Sequence, residues 1–97
     1  MPTYISLFNF TDQGIRNVRD TVDRYDRSKE LADKHGVRFE QVYWTVGPYD
    51  IVAIAEAPDE ESVSAFFLEL SSAGNLRTTT LRAYDREEMS SILQRLG

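Results

Sequence analysis

Two stretches with helical spacing, 11 to 35 and 59 to 74, each lie between two short runs that alternate as strands do. This order constrains the chain more than any single residue. TYISLFNF predicts a strand over 3 to 10, and Thr11 then offers a helix cap. Ile15, Val18, Val22, Tyr25 and Ala32 recur at spacings of three, four or their sum, which predicts helix to about His35 with a break point near Thr21. Gly36 stops that helix. VRFEQVYWTV predicts a strand over 37 to 46, Gly47 to Asp50 a turn, and IVAIAEA a strand from 51 to about 57. Asp59 caps a second helix whose Val63, Phe66, Phe67 and Leu70 form one stripe, and Gly74 ends it. RTTTLRAY predicts the fourth strand, and Asp85 with Glu88 has the spacing of a capping box for a short last helix carrying Met89, Ile92, Leu93 and Leu96.

Strand, helix, strand, strand, helix, strand is the ferredoxin-like order: an α+β fold in which two halves make one antiparallel sheet with helices on one face. The 97 residues suffice for one domain, 1–97, and not for two. The strands nevertheless carry large side chains on both faces. Tyr4, Phe8 and Phe10 alternate with Ile5 and Leu7, and Phe39 and Tyr43 with Val42, Trp44 and Val46. A monomer would leave one apolar face wet, so two sheets are expected to pack face to face in a symmetric dimer or higher homo-oligomer. The plainer alternative is that these aromatics edge a monomer core.

Charge narrows the partners. Sixteen acidic against eleven basic residues give a net charge of −5, the wrong sign for a phosphate backbone, so no nucleic acid partner is expected. The basic residues follow acids four positions earlier, Asp12 and Arg16, Asp20 and Arg24, Asp23 and Arg27, Glu30 and Lys34, which reads as a solvated helix face. No run is apolar for long enough to span a bilayer, and MPTYISLFNFTDQG lacks the pattern of a secretory signal. The absence of cysteine excludes disulfides, thiolate metal sites and cysteine nucleophiles, and a cytoplasmic location is expected.

The step Gly47, Pro48, Tyr49, Asp50 has two readings. Gly47 supplies permissive dihedrals, Pro48 fixes φ, and Asp50 accepts within its own turn, which makes a turn sufficient. The other reading is a proton relay through the Tyr49 hydroxyl and the Asp50 carboxylate. His35, the only histidine, falls in the last helical turn, where the helix dipole favours it; haem or metal ligation is the alternative, but KHG shows no ligand spacing, and neither metal nor cofactor is expected. Asp59, Glu60 and Glu61 suit a helix start, and the five dispersed glycines make no phosphate loop.

WTVGPYD, then EAPDEES, then SAGNLRTTTLRAY and a late EEM, taken in order over nearly the whole chain, resemble the GYD domain family, with Gly47, Tyr49 and Asp50 matching its name motif. The resemblance implies a dimeric α+β barrel, a fold shared by cofactor-free monooxygenases, isomerases, haem-handling proteins and regulator effector domains. It implies no particular activity. Effector domains that resemble this chain carry a similar Gly-x-Tyr-Asp step at the same hairpin, which makes an oligomer or ligand contact a further reading there.

Strand parity supplies a candidate site. Leu81 and Ala83 suit a helix-packed face, so Thr78, Thr80, Arg82 and Tyr84 are expected to face the dimer partner, and Tyr4, Ser6, Phe8 and Tyr43 to line an intersheet cavity with Trp44 near its rim. Arg82 and Thr80 are expected to point into that cavity and to hold an anionic or enolisable small molecule there; the alternatives are that Glu56 neutralises Arg82 or that Arg82 and the threonines only tie the dimer together. Two function classes follow. One is a non-catalytic module that binds a small molecule or holds an assembly. The other is a cofactor-independent oxygenase or isomerase in which Tyr43 or Tyr49 handles a proton, Arg82 steadies an anion and Trp44 packs an aromatic substrate.

Overall fold

Strand β1 (Thr3–Phe10) lies between β3 (Ile51–Glu56) and β4 (Leu76–Ala83), and β2 (Arg38–Trp44) flanks β3, giving the antiparallel order β2-β3-β1-β4 in a computed structural model that describes residues 1–97. The register fixes the faces. Tyr4 stands opposite Ala55 and Arg82, Ser6 opposite Ala53 and Thr80, and Phe8 opposite Ile51 and Thr78. These side chains share one face, and the helices cover it: the Phe8 ring meets Phe67 edge-on at 5.6 Å, and Phe39 meets Phe66 at 5.7 Å. Small alanines on β3, at 53 and 55, let the helix rings approach the sheet closely.

The parity expectation is therefore reversed. Thr78, Thr80 and Arg82 look toward the helices, together with Tyr4, Ser6 and Phe8, while Leu81 and Ala83 share the open face with Ile5, Leu7, Val52 and Ile54. The inference from Leu81 failed because both faces of this sheet are apolar, so hydrophobicity alone does not say which one the helices take. The ring at Phe8 does, through its packing on Phe67.

The first helical stretch is interrupted as its composition suggested. Helix α1 (Asp12–Arg16) is capped by the Thr11 hydroxyl, which accepts from the Gly14 amide at 3.0 Å. A 3-10 turn over Val18–Asp20 then resets the phase before α2 (Thr21–Lys34). In consequence only part of the predicted stripe turns inward: Ile15 and Val22 are 53% and 54% exposed, while Tyr25 and Ala32 keep their predicted place on the inner face of α2 and are joined there by Ser28 and Leu31. Helix α3 (Glu60–Ser72) keeps its predicted stripe, with Val63, Phe66 and Phe67 buried. Asp59 caps it by accepting the Ser62 amide at 2.8 Å, and these hydrogen bonds from Ser62 hold the Asp59 carboxyl below its ordinary range.

Strand β2 carries a bulge between Phe39 and Gln41, so Glu40 is unpaired and the strand keeps Phe39, Val42 and Trp44 on the helix side and Gln41 and Tyr43 on the open side. Helix α4 (Arg86–Leu93) begins with the predicted capping box between Asp85 and Glu88. Its apolar stripe is only partly covered: Ile92 is half-buried, but Met89 and Leu93, and Leu96 just beyond the helix, are 44%, 51% and 71% exposed. No helix is long and apolar enough to cross a membrane.

Candidate functional site

The layer between α2 and the sheet is not filled. Side chains on the inner face of α2 and on β2 leave a cleft of about 380 Å³, floored by Phe8, Ile51 and Ala53 of the sheet. Its aromatic wall is continuous, because Tyr25 meets Phe39 edge-on at 5.7 Å and Trp44 at 5.8 Å. The Trp44 indole N–H donates to the Thr21 hydroxyl at 3.1 Å, which fixes the ring at the mouth. A cleft of this size and polarity, apolar with a few polar groups, is the usual makeup of a small-molecule site.

Two arginines, Arg24 and Arg27, line this cleft and no acidic residue does, although acids outnumber bases in the chain as a whole. Arg24 is half-buried. Its Nη1 donates to the Asn17 carbonyl at 2.8 Å, and its Nη2 is shut off from water with no acceptor. The sequence placed Arg24 on a solvated face opposite Asp20; the 3-10 turn instead rotates it inward, and no Asp20 ion pair forms. The signal that could have found it is the run Thr21, Arg24, Ser28, Leu31, whose spacings of three, four and three put polar residues on the inner stripe of α2.

Of the residues singled out from sequence, Tyr4, Ser6, Thr80 and Arg82 meet as cross-strand neighbours of β1 and β4, whereas only Phe8 and Trp44 line the cleft. Tyr43 stands on the open face of β2, at the opposite edge of the sheet from Arg82, and Tyr49 lies in the hairpin, so within the chain the proton-handling, anion-binding and aromatic groups of the oxygenase reading are not assembled. Ser6 and Thr80 join in a hydroxyl ladder, at 3.2 Å from each other and with Thr78 at 3.2 Å from Thr80, beneath α3. Arg82 does not meet Glu56. Its Nη2 donates to Glu88 at 3.2 Å, and its guanidinium lies over the Tyr84 ring at 4.6 Å and near that of Tyr4 at 5.7 Å. Glu56 pairs with Arg38, which also holds Glu40. Tyr4 is 2% exposed, its hydroxyl has no partner, and burial pushes its pKa up.

At the hairpin, Gly47 adopts φ +142°, a region that favours glycine. The Asp50 amide donates to the Phe8 carbonyl at 2.8 Å, and the Thr45 hydroxyl donates to the Tyr49 carbonyl at 2.6 Å. The first bond ties the step to β1 and the second closes the hairpin on itself. His35 Nε2 stands 3.5 Å from a Glu69 carboxylate oxygen, and no three His, Cys, Asp or Glu side chains gather as metal ligands would.

Fold and cleft together define a ferredoxin-like α+β domain with one helix layer, one open sheet face and a ligand-sized gap between α2 and the sheet. The chain belongs to the GYD domain family, whose model matches residues 4–93. It is 38% identical over 84 residues, 86% of this chain and 88% of the other, to a Thermus thermophilus protein named "Glutamine synthetase and cystathionine beta-lyase binding protein". The crystal structure of TTHA0845, also from Thermus thermophilus, superposes with a TM-score of 0.61 at 26% identity, covering 89% of this chain and all of that one. An AsnC family transcriptional regulator from Agrobacterium tumefaciens shares the fold at a TM-score of 0.57 and 14% identity, with 88% of this chain matching 51% of the regulator.

Proposed function

We propose that this chain is a non-catalytic assembly module of the cytoplasm, which pairs with a second copy through its open sheet face and presents its helix layer to other proteins. The observation that carries the reading is the row Ile5, Leu7, Val52, Ile54 and Leu81, a continuous apolar surface on which no helix of the chain lies. Four strands ~4.8 Å apart and about 20 to 27 Å long present a footprint of roughly 400 to 500 Å² before side-chain relief is counted. A standard interface takes about 800 Å² from each partner. The exposed stripe of α4 is the further apolar surface available to make up the difference. The name of the Thermus thermophilus relative, a binding protein for two enzymes, supports a role in protein assembly over one in turnover.

Sedimentation equilibrium tests the pairing. The parent is expected to sediment at no less than twice 11.1 kDa, and Leu7→Glu, which puts a charge at the middle of the open face, to sediment as a monomer with the same far-ultraviolet circular dichroism. A parent that sediments at 11.1 kDa at every concentration overturns the reading.

A further inference from the structure

We propose that the cleft beneath α2 binds a small monocarboxylate with an aromatic or branched apolar body, its carboxylate held by Arg24. The site lies on the helix side of the sheet, away from the face assigned to self-association, and the two readings stand independently.

Three observations point to that chemistry. The first is the unused donor. A guanidinium nitrogen kept from water without an acceptor carries the full desolvation cost of a charged group, and an entering carboxylate relieves it. With Nη1 already held by the Asn17 carbonyl, the guanidinium is anchored at the wall of the cleft that Arg24 lines, with one tine left free of an acceptor. The second is the sign of the lining. Arg24 and Arg27 are its only charged residues, so the cleft is a positive site in a chain of net charge −5, and a cation would find no carboxylate there. The third is shape. Tyr25 stands edge-on to both Phe39 and Trp44 at the side of the gap, leaving ring surface and aliphatic floor for an apolar body. One negative charge satisfies Arg24, and a second would have to be buried among these rings without a partner.

Ser28 does not compete for the ligand, because its hydroxyl is spent on the Tyr25 carbonyl at 2.6 Å. Specificity therefore comes mainly from Arg24 and from fit to the rings, and a carboxylic acid is distinguished from its own amide chiefly by charge.

Trp44 is the only tryptophan in the chain and it lines the cleft, so its fluorescence reports occupancy directly. The full-length chain is titrated with phenylacetate, with 4-methylpentanoate and with phenylacetamide, the neutral counterpart of the first. Saturable change in Trp44 emission is expected with both acids, and at least about tenfold weaker binding of the amide. Arg24→Met, which removes the charge but keeps the length, is expected to remain folded and to bind acid and amide equally. No saturable change with either acid at millimolar concentration overturns the proposal, as does equal affinity of the parent for phenylacetate and phenylacetamide, or an Arg24→Met chain that still prefers the acid. The comparison of acid with amide on the parent chain decides the matter alone if Arg24→Met does not fold.

Discussion

The Asp50 carboxylate accepts the backbone N–H of Phe10 at 2.8 Å, tying the end of the β2–β3 hairpin to the end of the central strand. The family's motif aspartate thus has a structural role, because it satisfies an amide at the point where β1 leaves the sheet for α1.

Replacing Asp50 by alanine leaves that amide without its acceptor in a part-buried setting and is expected to cost about 1 to 2 kcal/mol. Asp50→Asn, which retains a carbonyl oxygen, is expected to lose less. Urea denaturation of both variants checks the order, and equal loss in the two would show that the charge, not the hydrogen bond, is what matters.

Gly14 and Gly47 are needed for different reasons, and substitution separates them. A methyl on Gly14 would overlap the Asn75 carbonyl, which also accepts the Thr11 amide at 3.1 Å, so Gly14→Ala must push α1 off the loop before β4. Around Gly47 there is open space, and Gly47→Val meets only the backbone strain of φ +142°. Each change is expected to cost about 1 to 3 kcal/mol. Only Gly14→Ala should also perturb amide resonances in the segment from 73 to 76, as a heteronuclear NMR spectrum would report.

Tyr4 makes stability fall at high pH. Burial raises its folded pKa above the ordinary 10.0, so as pH climbs past that value the unfolded chain releases a proton that the folded chain retains, and the folded state loses ground until the raised pKa is reached. Below 10.0 both states hold the proton and the group contributes no pH dependence. Melting temperatures of the parent and of Tyr4→Phe, followed across that range, are expected to diverge in favour of phenylalanine. Since the Tyr4 hydroxyl has no partner, the variant is also expected to be no less stable than the parent at neutral pH. Parallel curves would refute the assignment.

Most of the architecture was legible because periodicity and caps are local. Thr11, Asp59 and the pair Asp85 and Glu88 announce the starts of three helices from their own side-chain chemistry, and each makes the amide bond its position suggests. Faces are a different matter, since they depend on which of two apolar rows the helices choose. Tyr4, Ser6, Thr80 and Arg82 look like an interface when read along the strand, and only the packing of Phe8 on Phe67 shows that they lie under the helices. Arg24 was hidden for a related reason. Its direction is set by the 3-10 turn over Val18–Asp20, and a rotation inserted between two helical segments leaves the i, i+4 spacing of charges looking intact. The hairpin motif was readable as a turn, whereas its tie to Phe10 spans 40 residues and leaves no mark in the local pattern.

The outer rims of the sheet carry a consequence for how this chain behaves when concentrated. An apolar sheet invites fibre growth when its edge strands are flat and free to accept another strand. Here one rim is β2, bent by the unpaired Glu40 and guarded by Arg38, and the other is β4, with Arg77 and a run of threonines along it. New strands are thereby disfavoured at both sides, which leaves the open sheet face and the stripe of α4, rather than a strand edge, as the apolar surfaces offered to a partner. On the pairing proposed above, association through the open face is self-complementary and stops at a closed complex, so that a chain with this much bare apolar surface accumulates in a crowded compartment without seeding a filament.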